Sequence, residues 1–103
     1  GKLCAGVQIH VEDGAYDHEQ FKPWRLMALA FKALRRQQPD YDLWRDFPYE
    51  YEVERLAIDL INGSELLRQW VDDPAATPED LEAIAGADEA AWSAEQEAVM
   101  LYP

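Results

Sequence analysis

Residues 4–13, "CAGVQIHVED", decide how the fold is read. Val7, Ile9 and Val11 alternate with Gln8, His10 and Glu12, the period of a half-buried β-strand over about residues 5–11. The apolar set needs a core beneath it. The other face carries an amide, an imidazole and a carboxylate in a row, which suits either water or a polar pocket. A strand here makes the fold α/β (α+β): a small β-sheet packed with about four helices.

Outward from this stretch, "DGAYDHEQ" at 13–20 reads as a polar loop with an Asp-Gly turn signal. A helix is expected from about Pro23 to Gln37, with Pro23 in its first turn and Arg35 and Arg36 favouring its C-terminal dipole; Pro39 prevents continuation. Trp24, Met27, Phe31 and Leu34 recur at helical spacing as its core stripe. Residues 49–53 within "FPYEYEVE" suit a short strand or an extended loop, and Pro48 favours an edge or loop. "LAIDLI" suits a helical turn or a buried strand equally. After "NGS", Ser64 is a candidate cap for a helix through about Asp72. "TPED" at 77–80 opens another, with Thr77 as cap, Pro78 first, and Leu81, Ile84 and Ala85 as its apolar side. Gly86 is expected to end or kink it, leaving "ADEAAWSAEQEAVMLYP" as a last helix with an apolar tail.

The chain has 103 residues, 49% of them hydrophobic, enough for one compact domain spanning 1–103. No apolar run approaches the ~20 residues of a membrane span. The net charge of −12 disfavours nucleic acid and anionic lipid, which are bound through clustered Lys and Arg. Acids fill Asp72 to Glu97 with no Lys or Arg among them, a solvated face or a docking surface. Cys4, the single cysteine, excludes an internal disulfide and reads as a small buried residue.

No complete catalytic set is visible. If "PYEYE" is extended, Glu50 and Glu52 share a face ~6.6–6.8 Å apart, a spacing compatible with a glycosidase carboxylate pair. It is equally that of solvated glutamates paired with Arg45 or Arg55. His10, His18 and Asp13 match no zinc or calcium spacing, so no metal and no cofactor is expected. His10 suits a hydrogen-bonded structural histidine or a ligand contact.

"CAGVQIHV", "FKPWRLMALAFKALRRQQPD", "PYEYEVERLAIDLINGSELLR" and "MLYP", in that order, resemble a bacterial family known as DUF1343, associated with exo-β-N-acetylmuramidases of peptidoglycan turnover, the NamZ-type glycoside hydrolases. The acidic stretch after Asp72 departs from the family's more mixed charge. The resemblance implies the C-terminal domain of a longer two-domain protein, lacking its N-terminal Rossmann-like catalytic domain. The proposed catalytic glutamate would lie in that preceding domain and match no position here, so the fragment alone would be inactive. Partners implied are the N-terminal domain of the same protein and a peptidoglycan-derived muramyl sugar, with export or cell-envelope association. Gln8 and His10 stand at the family's "VQIH" positions, and Tyr49 and Glu50 at its "YE" positions. They are candidate substrate-binding residues, since amide, imidazole and phenol groups suit sugar hydroxyls and an acetamido group. Arg25 is added as the cation that would tolerate the lactyl carboxylate. The alternative is a non-catalytic structural or interaction domain; a free-standing small enzyme ranks third.

Overall fold

A computed structural model describes residues 1, 3, 5–11, 14 and 16–102. The readings of Cys4 as buried and of Asp13 as a turn residue or ligand lie outside the described residues. Four helices follow in order: α1 (Pro23–Gln37), α2 (Ala57–Asn62), α3 (Leu66–Asp72) and α4 (Pro78–Gln96).

The core sits where α1, α3 and the start of α4 meet. Ala28, Leu67, Trp70, Val71, Ala76 and Leu81 are buried together, with Trp24, Phe31, Trp44, Ile58 and Ile84 packed around them. The short helices are set by local chemistry. Gly63 ends α2 in the left-handed region at φ 84°, where a side chain would be strained. Asp59 on α2 is buried and takes a bidentate grip from Arg68 on α3, with donor–acceptor distances of 2.8–3.0 Å. Leu56 and Glu65 precede α2 and α3 without a side-chain cap. Ser64 instead accepts from the Asn62 amide at 3.3 Å through its hydroxyl, and Asn62 accepts from the Trp24 indole at 2.8 Å.

The expected α/β sheet is not there. Among the described residues there is no strand, and the fold is helical. Residues 5–11 have no backbone–backbone hydrogen bond among the described residues, so their alternation has no neighbouring strand to make a sheet with. Val7 and Ile9 instead border α1 beside Met27 and Leu34. At 49–52 the one antiparallel bridge, Tyr49 to Glu52, closes a tight turn.

α1 covers the expected Pro23–Gln37, but its packed side differs from the expected stripe. Trp24 and Phe31 face the core together with Ala28 and Lys32, whereas Met27 and Leu34, on the flank of the same stripe, are 44% and 50% exposed. α4 starts as expected. Thr77 Oγ1 accepts from the Asp80 amide at 3.3 Å, and Asp80 accepts from the Thr77 amide at 2.8 Å, a closed capping box. It then runs unbroken through Gly86, because the alanines around that glycine favour helix and nothing crowds the turn.

Two outcomes follow. A Cβ at Gly86 would meet no atom within 4 Å, so Gly86→Ala should raise stability by about 0.5–1 kcal/mol, measured by urea unfolding. Thr77→Ala should lower it by about 1 kcal/mol. The Thr77 amide and hydroxyl hold the Asp80 carboxyl below its ordinary value. Its stabilising effect is therefore complete above the unfolded pKa near 3.9 and is lost as pH falls through the lower folded value. The Thr77→Ala variant should show a shallower acid transition over that window.

Candidate functional site

Gln8 and His10 lie on the exposed segment 5–11. Val7 and Ile9, and not Gln8 or His10, line the hollow against α1.

Tyr49 and Glu50 sit in the tight turn closed by two 3.1 Å hydrogen bonds between Tyr49 and Glu52. Glu50 has φ 56°, the left-handed region that costs an L-residue roughly 1–2 kcal/mol. Tyr49 is half-buried, its ring edge-on to Phe47 at 6.5 Å, while Tyr51 at the tip is 99% exposed. Because residues 49–52 turn, Glu50 and Glu52 do not have the extended relation that a carboxylate pair on one strand face would need. Glu52 is occupied in any case. Its carboxylate accepts from the amides of Val53 and Glu54 at 3.0 and 2.8 Å and from Arg55 at 3.1 Å. These donors hold it below the usual glutamate range. Arg55 is one of the two partners anticipated from the sequence.

Arg25 lies on α1 facing α4. Its Nε donates to both oxygens of Glu82 and its Nη1 to Glu89, all at 2.8 Å, and the guanidinium is mostly covered. The Glu89 and Glu82 carboxylates raise its pKa, and Glu89 is lowered in return. A sugar carboxylate would therefore compete with two protein carboxylates already in place. No hydrogen bond or ion pair among the described residues joins Gln8 or His10 to Tyr49, Glu50 or Arg25. His18 pairs with Glu19 at 3.0 Å on the surface. No group of three or more metal-ligating side chains forms among the described residues.

The sequence did not single out Lys32. It is 4% exposed, and its Nζ donates to the carbonyls of Trp70 at 2.6 Å, Val71 at 3.4 Å and Asp73, over the Trp70 ring at 4.8 Å. The last turn of α3 leaves the Trp70 and Val71 carbonyls without helical partners, and the ammonium satisfies them; the Asp73 carbonyl just beyond also accepts from the Ala76 amide at 3.2 Å. A hollow of about 370 Å³ opens beside it, lined also by Leu29, Arg36 and Pro78. With its protons spent on carbonyls, Lys32 serves the helix end and not an anion in that hollow. A lysine among apolar residues on a helix announces this only if its carbonyl partners are known.

Residues 1–102 of the 103 match the family described as exo-beta-N-acetylmuramidase NamZ, C-terminal. The chain belongs to that family. The NamZ C-terminal family places it as a domain of a muramidase-like glycoside hydrolase and is consistent with a partner domain on its N-terminal side. No curated protein and no solved structure matches it. No helix among the described residues is long and apolar enough to cross a membrane. The residues matched to NamZ include "CAGVQIHV", "FKPWRLMALAFKALRRQQPD" and "PYEYEVERLAIDLINGSELLR".

Proposed function

We propose that this domain forms one wall of the substrate cleft of an exo-β-N-acetylmuramidase, with Gln8, His10, Tyr49 and Glu50 facing the terminal muramyl sugar. The observation that carries the reading is the exposure of the Gln8–His10 segment and of the strained Glu50 turn, in a chain matching the muramidase C-terminal family throughout. Strain of this kind is retained where a side chain has to be held in one place. The amide, imidazole and phenol offer directional hydrogen bonds and a stacking ring for hydroxyls and an acetamido group. The muramidase reaction is hydrolysis of a terminal N-acetylmuramic acid from the non-reducing end. Water displaces the sugar with carboxylate help from the preceding domain, while this domain shapes the site and limits solvent. Arg25 enters the reading only by exchanging Glu82 or Glu89 for the lactyl carboxylate.

The test is made in the full-length enzyme on a chromogenic N-acetylmuramide. His10→Ala and Glu50→Gln should each lower kcat/KM by about tenfold or more with an unchanged melting temperature, a loss near 1.4 kcal/mol of transition-state binding. A lowered melting temperature with unchanged turnover per folded molecule would make both residues structural and end the cleft-wall reading.

A further inference from the structure

The outer side of α1 presents an apolar surface that the four helices leave uncovered. Met27, Ala30, Ala33 and Leu34 line a hollow of about 280 Å³ together with Val7 and Ile9. Met27 also borders a second hollow of about 260 Å³, shared with Phe31, Ile58 and Ile61. The surface thus runs from residues 7–9 across α1 to α2, and among the described residues no ionisable side chain lines either hollow. Val7, Leu34 and Ile61 are 93%, 50% and 66% exposed. The apolar stripe of α1 is wider than the side it buries, and a contiguous uncharged patch in an otherwise highly charged chain marks an interface.

We propose that this surface, the outer face of α1 with residues 5–11, is where the domain docks onto the preceding part of its own polypeptide. The family match is to a C-terminal domain, so that part is tethered through the segment bearing Val7 and Ile9. A tether raises the partner's effective concentration to about millimolar for short linkers. A second copy is the weaker occupant, since it would bring together two bodies of net charge −12. Docking also gives the amides of 5–11 the partners they lack among the described residues. The inference rests on the two-domain reading above and is independent of the sugar contacts.

The experiment is hydrogen–deuterium exchange on the full-length enzyme, wild type against the Met27→Glu/Leu34→Glu double variant and against Val7→Asp. Glutamate is a good helix former, and Val7 lies outside every helix, so the helical body should survive; unchanged protection of α3 checks this. In the wild type, amides of 5–11 should exchange at least tenfold more slowly than unprotected ones. Both variants should accelerate exchange there and in at least one peptide of the preceding domain by at least tenfold. Unprotected amides in the wild type, or protection that both variants leave intact, would overturn the proposal. Protection that rises with protein concentration alongside a dimer in sedimentation would overturn it in favour of a second copy. If docking fails while His10→Ala and Glu50→Gln still lower kcat/KM, the sugar reading stands alone; the opposite pattern leaves docking alone.

Discussion

Trp70→Ala should destabilise the helical body by about 3–5 kcal/mol, the range for truncating a buried aromatic. Trp70 is 4% exposed and sits in the cluster that α1, α3 and α4 share, between Leu67, Val71 and Leu81. Its indole Nε1 donates to the Thr77 carbonyl at 2.8 Å, so it also ties α3 to the turn that caps α4. Truncation opens a cavity, removes the ring beneath the Lys32 ammonium and leaves the Thr77 carbonyl only its long 3.4 Å bond from the Leu81 amide. Trp70→Phe keeps most of the volume and loses the indole N–H, and should cost about 1–3 kcal/mol. Urea unfolding followed by far-UV circular dichroism measures both. A loss under 1 kcal/mol for Trp70→Ala would mean that α3 does not pack as described.

Lys32→Leu should cost about 3 kcal/mol, although it places an apolar residue in an apolar surrounding. The leucine fills the space of the stem but leaves the carbonyls of Trp70, Val71 and Asp73 without the ammonium that now satisfies them. The pH dependence separates this from simple repacking. Burial, with the nearby Arg36, holds the Lys32 ammonium below its ordinary value of 10.5. Between that lowered value and the unfolded lysine near 10.4, the unfolded chain binds more protons. Stability therefore rises with pH across that window in the wild type. The burial cost is full below the window and is relieved above it. The rise should be missing in Lys32→Leu, and the difference between the two stability–pH curves cancels the other titrating groups. Parallel curves would mean that Lys32 is not buried in its charged form.

The parts of this fold legible in the sequence are those set within one or two turns of helix. Pro23, Pro78 and the Thr77–Asp80 pair mark helix starts by their own covalent and hydrogen-bonding properties, and the structure follows them. The misreadings concern what lies across the chain. Residues 5–11 alternate as a strand does, but a sheet needs a second strand, and alternation says nothing of where one would come from. The apolar stripe of α1 is broad, so spacing alone could not tell whether its Ala28 edge or its Met27 edge is the one buried against α3. Lys32 is buried because the end of α3, 38–41 residues further along, brings its carbonyls to it. Gly86 was too weak a breaker among its alanines. At the candidate site, Tyr49 and Glu50 were visible as an unusual stretch, yet the left-handed φ of Glu50 turned a supposed strand face into a bend. Arg25 was visible as a cation, whereas its two carboxylate partners, on a helix more than fifty residues away, were not.

The Arg25 grip on Glu82 and Glu89 has a consequence for how α4 behaves in different solutions. At 1.5 Å per residue the 19-residue helix extends about 28 Å, and residues 86–95 are exposed throughout. Among the described residues, the Glu89 contact is the ion pair that holds this outer half against α1. Its carboxylate is open to solvent, so mobile ions weaken it as the Debye length contracts from about 10 Å at 0.1 M to 3 Å at 1 M salt. Ionic strength thus acts as a throttle on the far end of α4. It is held in dilute buffer and frays independently in brine, while the Leu81 end keeps its place.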